Sequence, residues 1–229
     1  MNREKSLGMR IGESVFSIGY LAFLLVAMIL FFVSSATAGG WALTCGFMTL
    51  LLGVGDALHL VPRIIINIKD ETDDPREKRK RNGWLGIGNF ASSITMTAFY
   101  LLLFIAMRQR AYPGTQISGA QMAVLIPLLA LALVRLVLCL LPQNHWFDGK
   151  GSQLWGVVRN LPFAVMGMIT IAYLIVWYGE WLMALLVFTS FACYLTVVFA
   201  AKQKPILGML MIPKTICYIL LIALLLSRL

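Results

Sequence analysis

Charged residues are scarce in this sequence, and acidic residues are the scarcer kind. Only 13% of the 229 residues are charged, against about 25% in an ordinary soluble domain. Hydrophobic residues make up 60% of the chain, and the mean hydropathy is +0.84. This composition excludes a soluble globular protein, a disordered chain and a collagen-like fibre. It indicates a polytopic membrane protein with no room for a separate soluble domain.

Cysteine and histidine are also few, which excludes several kinds of site. The chain has four cysteines and two histidines, and no two cysteines have the spacing Cys-x-x-Cys. A disulfide framework is therefore excluded. A hydrolytic zinc site would need more His and Asp ligands than the chain offers, and no Gly-x-Ser-x-Gly motif marks a serine nucleophile. We expect neither a metal nor a cofactor.

Seven long apolar segments follow one another along the chain. Each is close to the length of about 20 residues that a membrane-crossing helix needs. They must be helical, because lipid offers the backbone no hydrogen-bond partners. The sequence therefore predicts an all-α polytopic membrane protein, a single domain over residues 1–229. The predicted spans are about 14–34, 41–66, 84–107, 119–141, 155–177, 180–201 and 205–227.

Lys and Arg are distributed unevenly over the connections. The N-terminus and the connections 67–83, 142–154 and 202–204 hold twelve of them, whereas the alternate set holds three. The positive-inside rule then predicts a cytoplasmic N-terminus and an external C-terminus. We attribute the net charge of +9 to this rule and to anionic lipid, and expect no nucleic-acid partner. Six of the cations lie in 67–83, so binding of anionic lipid by that loop is an alternative to a purely topological role. The expected location is the bacterial plasma membrane.

Three ionisable residues of the second span have helical spacing. Asp56, His59 and Arg63 are three and four residues apart, which places them on one face of a helix. Ionisable groups inside a membrane are costly and usually functional. Asp56 and His59 are predicted as an acid/base pair, with Arg63 keeping the carboxylate charged. The alternative is a buried ion network that only ties helices together.

Cations outnumber the acid at this depth. Arg63, Arg135, Arg159 and Lys214 face a single intramembrane carboxylate, and an anionic ligand is the simplest compensation. The alternative is that their long side chains reach the head groups at the membrane surface. Asn89 and Ser93 of the third span lie at the same depth. We predict that the four cations and these two polar residues bind the substrate in a cytoplasm-facing pocket.

One segment has a family resemblance. Leu52 to Arg63, which reads Leu-Gly-Val-Gly-Asp-Ala-Leu-His-Leu-Val-Pro-Arg, resembles the Gly-Asp-Ala-Leu…Leu-Pro-Arg signature of the YhhN-type lysoplasmalogenase family. The later stretch Ile87-Gly88-Asn89-Phe90…Ser93 is similar to that family's Gly-x-Phe…Ser stretch. Members of the family are integral membrane hydrolases that cleave the vinyl-ether bond of lysoplasmalogens with water. The resemblance implies a shared fold and Asp56 as a catalytic carboxylate.

Three functional hypotheses follow. The first is an integral membrane hydrolase acting on a lysolipid-like anionic substrate, with membrane lipids as its surroundings and its source of substrate. The second is a transporter or binding protein for an anionic solute, although the outer halves of the spans have few of the polar residues that alternating access requires. The third is a non-catalytic structural protein in which the polar cluster serves helix packing.

Overall fold

Each apolar segment of the sequence forms an α-helix in the computed structural model, which describes residues 7–68, 74–147, 152–200 and 204–229. Within those residues, seven helices are long and apolar enough to cross a membrane, and no strand is present. The predicted all-α, seven-helix membrane fold is confirmed. The helices are α1 (Leu7–Ala38), α2 (Gly40–Ile68), α3 (Pro75–Ala111), α4 (Gly119–Leu140), α5 (Gln153–Tyr178), α6 (Trp181–Ala200) and α7 (Met211–Leu226), with short 3-10 helices at Pro142–Asn144 and Pro205–Leu210.

Helix α3 begins nine residues before the predicted span. Asp74 caps it, because its carboxylate accepts a hydrogen bond of 2.9 Å from the backbone N–H of Arg76, and Pro75 occupies the first helical position, where no N–H is needed. The 37-residue helix is about 55 Å long at 1.5 Å per residue, well beyond the roughly 30 Å of bilayer hydrocarbon. The sequence predicts a loop over residues 67–83. In the structure 67–68 end α2 and 75–83 begin α3, whereas 69–73 lie outside the described residues.

Side-chain caps also fix the starts of α4 and α5. Ser118 and Gln121 form a reciprocal capping box at the start of α4, which satisfies two backbone donors. The Ser152 hydroxyl accepts a hydrogen bond of 3.1 Å from the backbone N–H of Trp155. That cap sets the start of α5 two turns before Arg159, a predicted site residue.

Helices α2 and α3 approach each other closely at two glycines. A Cβ added to Gly55 would collide with the side chain of Thr95, and one added to Gly88 would collide with the backbone of Leu58 and His59. Small residues at such crossings let membrane helices pack backbone to backbone. The contact at Gly88 holds α3 directly against the segment of α2 that carries His59.

An aromatic cluster fills the centre of the bundle. The rings of Tyr100 and Phe163 have centroids 5.4 Å apart, and those of Phe163 and Phe191 are 4.8 Å apart. The hydroxyls of Tyr100 and Tyr218 lie 3.0 Å apart and form a hydrogen bond. Large apolar side chains such as Val176, 76% exposed, cover the outside of the bundle, as a lipid environment favours.

Candidate functional site

A cavity of about 240 Å³, called the central cavity below, lies between the helices at the end of the bundle where α1 begins and α2 ends. Side chains from six helices, α2 to α7, form its wall. The structure brings all eight predicted site residues to this wall, together with further polar and apolar side chains that sequence reasoning had not assigned. Its lining consists of Asp56, His59, Leu60, Arg63, Asn89, Ser92, Ser93, Met96, Arg135, Arg159, Phe163, Tyr194, Val198, Met211, Lys214 and Thr215.

Two hydroxyl groups hold the Asp56 carboxylate. The Tyr20 hydroxyl of α1 donates to Oδ2 at 2.7 Å, and the Ser92 hydroxyl of α3 donates to Oδ1 at 3.3 Å. Tyr20 is buried. These bonds fix the carboxylate between three helices. Tyr20 was not among the predicted site residues, because it lies inside an apolar stretch where a tyrosine usually contributes to packing.

His59 lies on the same wall, as its helical spacing predicts, but it is not hydrogen-bonded to Asp56 in the described part of the chain. Its Nδ1 atom is buried and has no hydrogen-bond partner among the described residues. The two groups share one helix face, yet the carboxylate turns toward Tyr20 and Ser92. The cavity therefore holds a carboxylate and an imidazole that can each contact a ligand separately.

Arg63 pairs with a residue that the sequence reasoning missed. Its Nε atom lies 2.7 Å from Oε1 of Glu13, and 34% of the Arg63 side chain is exposed. Arg63 therefore has a carboxylate partner outside the cavity lining, whereas Asp56 is the one carboxylate among the described lining residues. Glu13 was overlooked because it lies one residue before the predicted first span.

Arg135 is the most buried of the four cations, with 1% of its surface exposed. Its guanidinium lies over the Phe163 ring, 3.4 Å from the centroid, and Nη2 donates a long hydrogen bond of 3.4 Å to Asn160. The Nε and Nη1 atoms have no hydrogen-bond partner among the described residues. A side chain so enclosed by protein does not reach the membrane surface, which argues against that alternative for Arg135.

Arg159 and Lys214 are held mainly by aromatic rings. The Arg159 guanidinium lies 4.1 Å from the centroid of Trp146, and its Nη1 donates at 2.9 Å to Asn144. Its buried Nε has no hydrogen-bond partner among the described residues. The Lys214 ammonium lies 5.2 Å and 5.4 Å from the ring centroids of Tyr194 and Tyr218, contacts that offset part of the cost of burial.

A second cavity of about 430 Å³ adjoins the first. Asn89, Arg159 and Val198 line both cavities, so the two are separated by little more than these side chains. Trp146 and Asn144, on the connection between α4 and α5, form part of the second wall. The Trp146 indole donates at 2.9 Å to the Cys139 carbonyl, which fixes this connection against the end of α4.

The described residues contain no group of three or more His, Cys, Asp or Glu side chains that could hold a metal ion.

Comparison of the chain with protein-family models, with curated proteins and with solved structures finds no match. The likeness to the YhhN-type family therefore stays a prediction from the residues that carry it.

Proposed function

We propose that this chain is an integral membrane enzyme that hydrolyses a lysolipid-like anionic amphiphile at the central cavity. The observation that carries the proposal is the composition of the cavity wall. The carboxylate of Asp56 and the imidazole of His59 can each exchange a proton with a substrate. They lie beside three buried or half-buried cations that have no carboxylate partner among the described residues. Acid and base groups next to an anion-binding surface are the parts that hydrolysis of an anionic substrate requires.

The size of the cavity supports a head group as the bound part of the substrate. Pockets that enclose a whole drug-sized molecule measure about 300–1,000 Å³, whereas this cavity measures about 240 Å³. A phosphate and glycerol fit within such a volume, but a long hydrocarbon chain does not. The chain of an amphiphile then lies outside the cavity, among the apolar side chains or in the lipid.

The proposed reaction is the addition of water across a vinyl ether. A proton adds to the outer carbon of the double bond, the water oxygen bonds to the carbon that bears the ether oxygen, and the resulting hemiacetal separates into an aldehyde and an alcohol. In this scheme His59 supplies the proton. Asp56, fixed by Tyr20 and Ser92, stabilises the positive charge that develops on the carbon and accepts the proton that the water loses.

The Asp56→Asn variant tests this proposal. The amide keeps the shape of the carboxylate but neither carries its charge nor accepts a proton, so we expect turnover of a 1-alkenyl lysolipid to fall at least about 100-fold. Asp74→Asn is the matched control, because Asn caps a helix as well as Asp does and Asp74 lies outside the cavity wall. Unchanged turnover in purified Asp56→Asn protein would eliminate the mechanism.

A second candidate is a binding or transport protein for an anionic solute. The observation that favours it is the absence of a hydrogen bond between Asp56 and His59 in the described structure, because the cations alone suffice for binding. Uptake of the solute into proteoliposomes, with no aldehyde released from a 1-alkenyl lysolipid, would put this candidate first.

A further inference from the structure

The described wall of the central cavity has a surplus of two positive charges. Arg63, Arg135, Arg159 and Lys214 are positive and Asp56 is negative, and Glu13, which lies outside the lining, neutralises Arg63 through their ion pair. His59 is counted in its uncharged form, because in the proposed reaction it takes up the proton that it donates only after the anionic substrate has bound. Buried cations without counter-charges carry a large desolvation cost, and a bound anion removes most of it. A ligand that balances this wall carries close to two negative charges.

Two arginines of this wall have N–H donors that the described protein leaves unpaired. Nε and Nη1 of Arg135 and Nε of Arg159 are buried and have no acceptor in the described structure. These atoms come from α4 and α5, and the Lys214 ammonium adds a third cation from α7. Guanidinium groups present several N–H donors in a fixed plane, which suits the oxygens of a phosphate group.

The described wall has few groups that would bind a positively charged head group. Quaternary ammonium groups bind against aromatic rings, but the rings beside the cavity already contact cations of the protein. Phe163 contacts Arg135, Trp146 contacts Arg159, and Tyr194 contacts Lys214. Among the described lining residues Asp56 is the one carboxylate, and two hydroxyls already donate to it.

We infer that the head group bound in the central cavity is a phosphate monoester, a near-dianion, and not a zwitterionic phosphodiester such as phosphocholine. This inference rests on the proposed function and names the substrate class. A phosphate monoester carries about −1.5 to −2 charges at pH 7, which matches the surplus on the wall. A zwitterionic head group has no net charge and would place its ammonium beside three cations.

Saturated ether lipids test the inference without turnover. The full chain, purified in a non-ionic detergent, is titrated with 1-O-alkyl-glycerol 3-phosphate and with 1-O-alkyl-glycero-3-phosphocholine of the same alkyl length. We expect the monoester to bind at least about tenfold more tightly, because it accepts charge-assisted hydrogen bonds without bringing a cation. Equal affinity, or tighter binding of the phosphocholine lipid, overturns the inference.

Inorganic phosphate is the third probe and identifies the source of the dianion. Displacement of the ether phosphate by inorganic phosphate of similar affinity assigns the site to the free ion. Much tighter binding of the lipid assigns it to a lipid head group. Both results support a dianion site, whereas failure of inorganic phosphate to bind the lipid-free chain at all overturns it.

Two variants test whether the preference for a phosphate monoester depends on Arg135 and Lys214. Arg135→Gln and Lys214→Met are each expected to weaken monoester binding about 10- to 100-fold and to leave phosphocholine binding within about twofold. Because each variant removes a different cation, one suffices if the other does not fold. Arg110→Gln is the control, since that arginine lies against Trp41 at the opposite end of the bundle, and its monoester affinity should be unchanged. A monoester preference that survives in both folded variants refutes the assignment.

The two proposals fail in different experiments. If 1-alkenyl phosphocholine lysolipids are hydrolysed as efficiently as the matching phosphate monoesters, the head-group inference fails and the enzyme proposal stands. If the monoester binds selectively but the 1-alkenyl form yields no aldehyde, the enzyme proposal fails and the dianion site stands.

Discussion

Replacement of Arg135 by methionine should make the protein more stable and less able to bind its ligand. Two buried donors of Arg135 lack partners among the described residues, and each such donor costs about 1–3 kcal/mol. Methionine fills a similar volume without a charge or a donor. The loss of the contact with Phe163 costs up to about 2 kcal/mol, and the hydrogen bond to Asn160 is long, at 3.4 Å. We expect a net increase in the free energy of unfolding of about 1–3 kcal/mol.

Asn160 does not become unsatisfied in this variant. Its Oδ1 atom still accepts a hydrogen bond of 2.7 Å from the Tyr194 hydroxyl, and its Nδ2 donates at 2.7 Å to the Gly156 carbonyl. The substitution therefore removes unpaired donors from Arg135 without creating new ones on its neighbour. The change in stability can then be attributed to the guanidinium itself.

Thermal unfolding of the purified chain, with and without an ether-linked phosphate monoester, measures both effects. Without ligand, we expect the midpoint for Arg135→Met to rise by at least about 2 °C. A ligand at 100 times its Kd should stabilise the wild-type chain by about 2.7 kcal/mol, and the variant much less. Arg228→Met is the contrasting control. It removes one partner of the 2.5 Å pair with Glu180, leaves that carboxylate uncompensated, and should lower the midpoint. A lower midpoint for Arg135→Met with unchanged ligand stabilisation would show that Arg135 is structural.

Two further predictions concern the supports of the site. Gly88→Ala places a methyl group against the backbone of Leu58 and His59 and should lower the free energy of unfolding by about 1–3 kcal/mol. Gly19→Ala, inside α1 with open space around it, should leave it unchanged or raise it, because Ala favours a helix over Gly. Equal effects of the two substitutions in thermal unfolding would contradict the close approach of α2 and α3. Tyr20→Phe removes a donor of the Asp56 carboxylate and should reduce turnover about tenfold with little change in KM, so a variant with wild-type kinetics would show that Tyr20 does not position Asp56.

The bundle could be predicted from the sequence because hydropathy alone determines which segments enter lipid. Within the described residues each of the seven predicted spans forms a helix. The largest difference between the predicted and observed bounds is the start of α3. The charged stretch before the predicted third span is too polar to count as membrane, yet Asp74 and Pro75 start a helix there. Hydropathy indicates which residues can lie in the hydrocarbon of the membrane, but it does not indicate where a helix begins or ends.

The residues of the cavity wall could be predicted because the connections are short. Successive helices alternate in direction, so ionisable residues late in α2 and α4 and early in α5 and α7 reach one end of the bundle. Their partners could not be predicted in the same way. Glu13 and Tyr20 contact Arg63 and Asp56 only through the packing of α1 against α2. A helical repeat predicts which residues share a face, but it does not predict which neighbouring helix supplies a hydrogen-bond or ion-pair partner.

The orientation of two cations argues that the cavity serves a ligand and not the membrane surface. The ammonium of Lys214 contacts the ring of Tyr218, which lies one helical turn deeper in the bundle and is hydrogen-bonded to the buried Tyr100. A lysine that reached for head groups would extend the other way, toward the beginning of α7. Arg135 likewise lies over Phe163, a member of the buried aromatic cluster. Both charges are directed inward, where the protein offers aromatic faces and few acceptors. Their burial is therefore only partly compensated by the protein itself, and the anionic substrate of the proposed function would supply the remaining compensation.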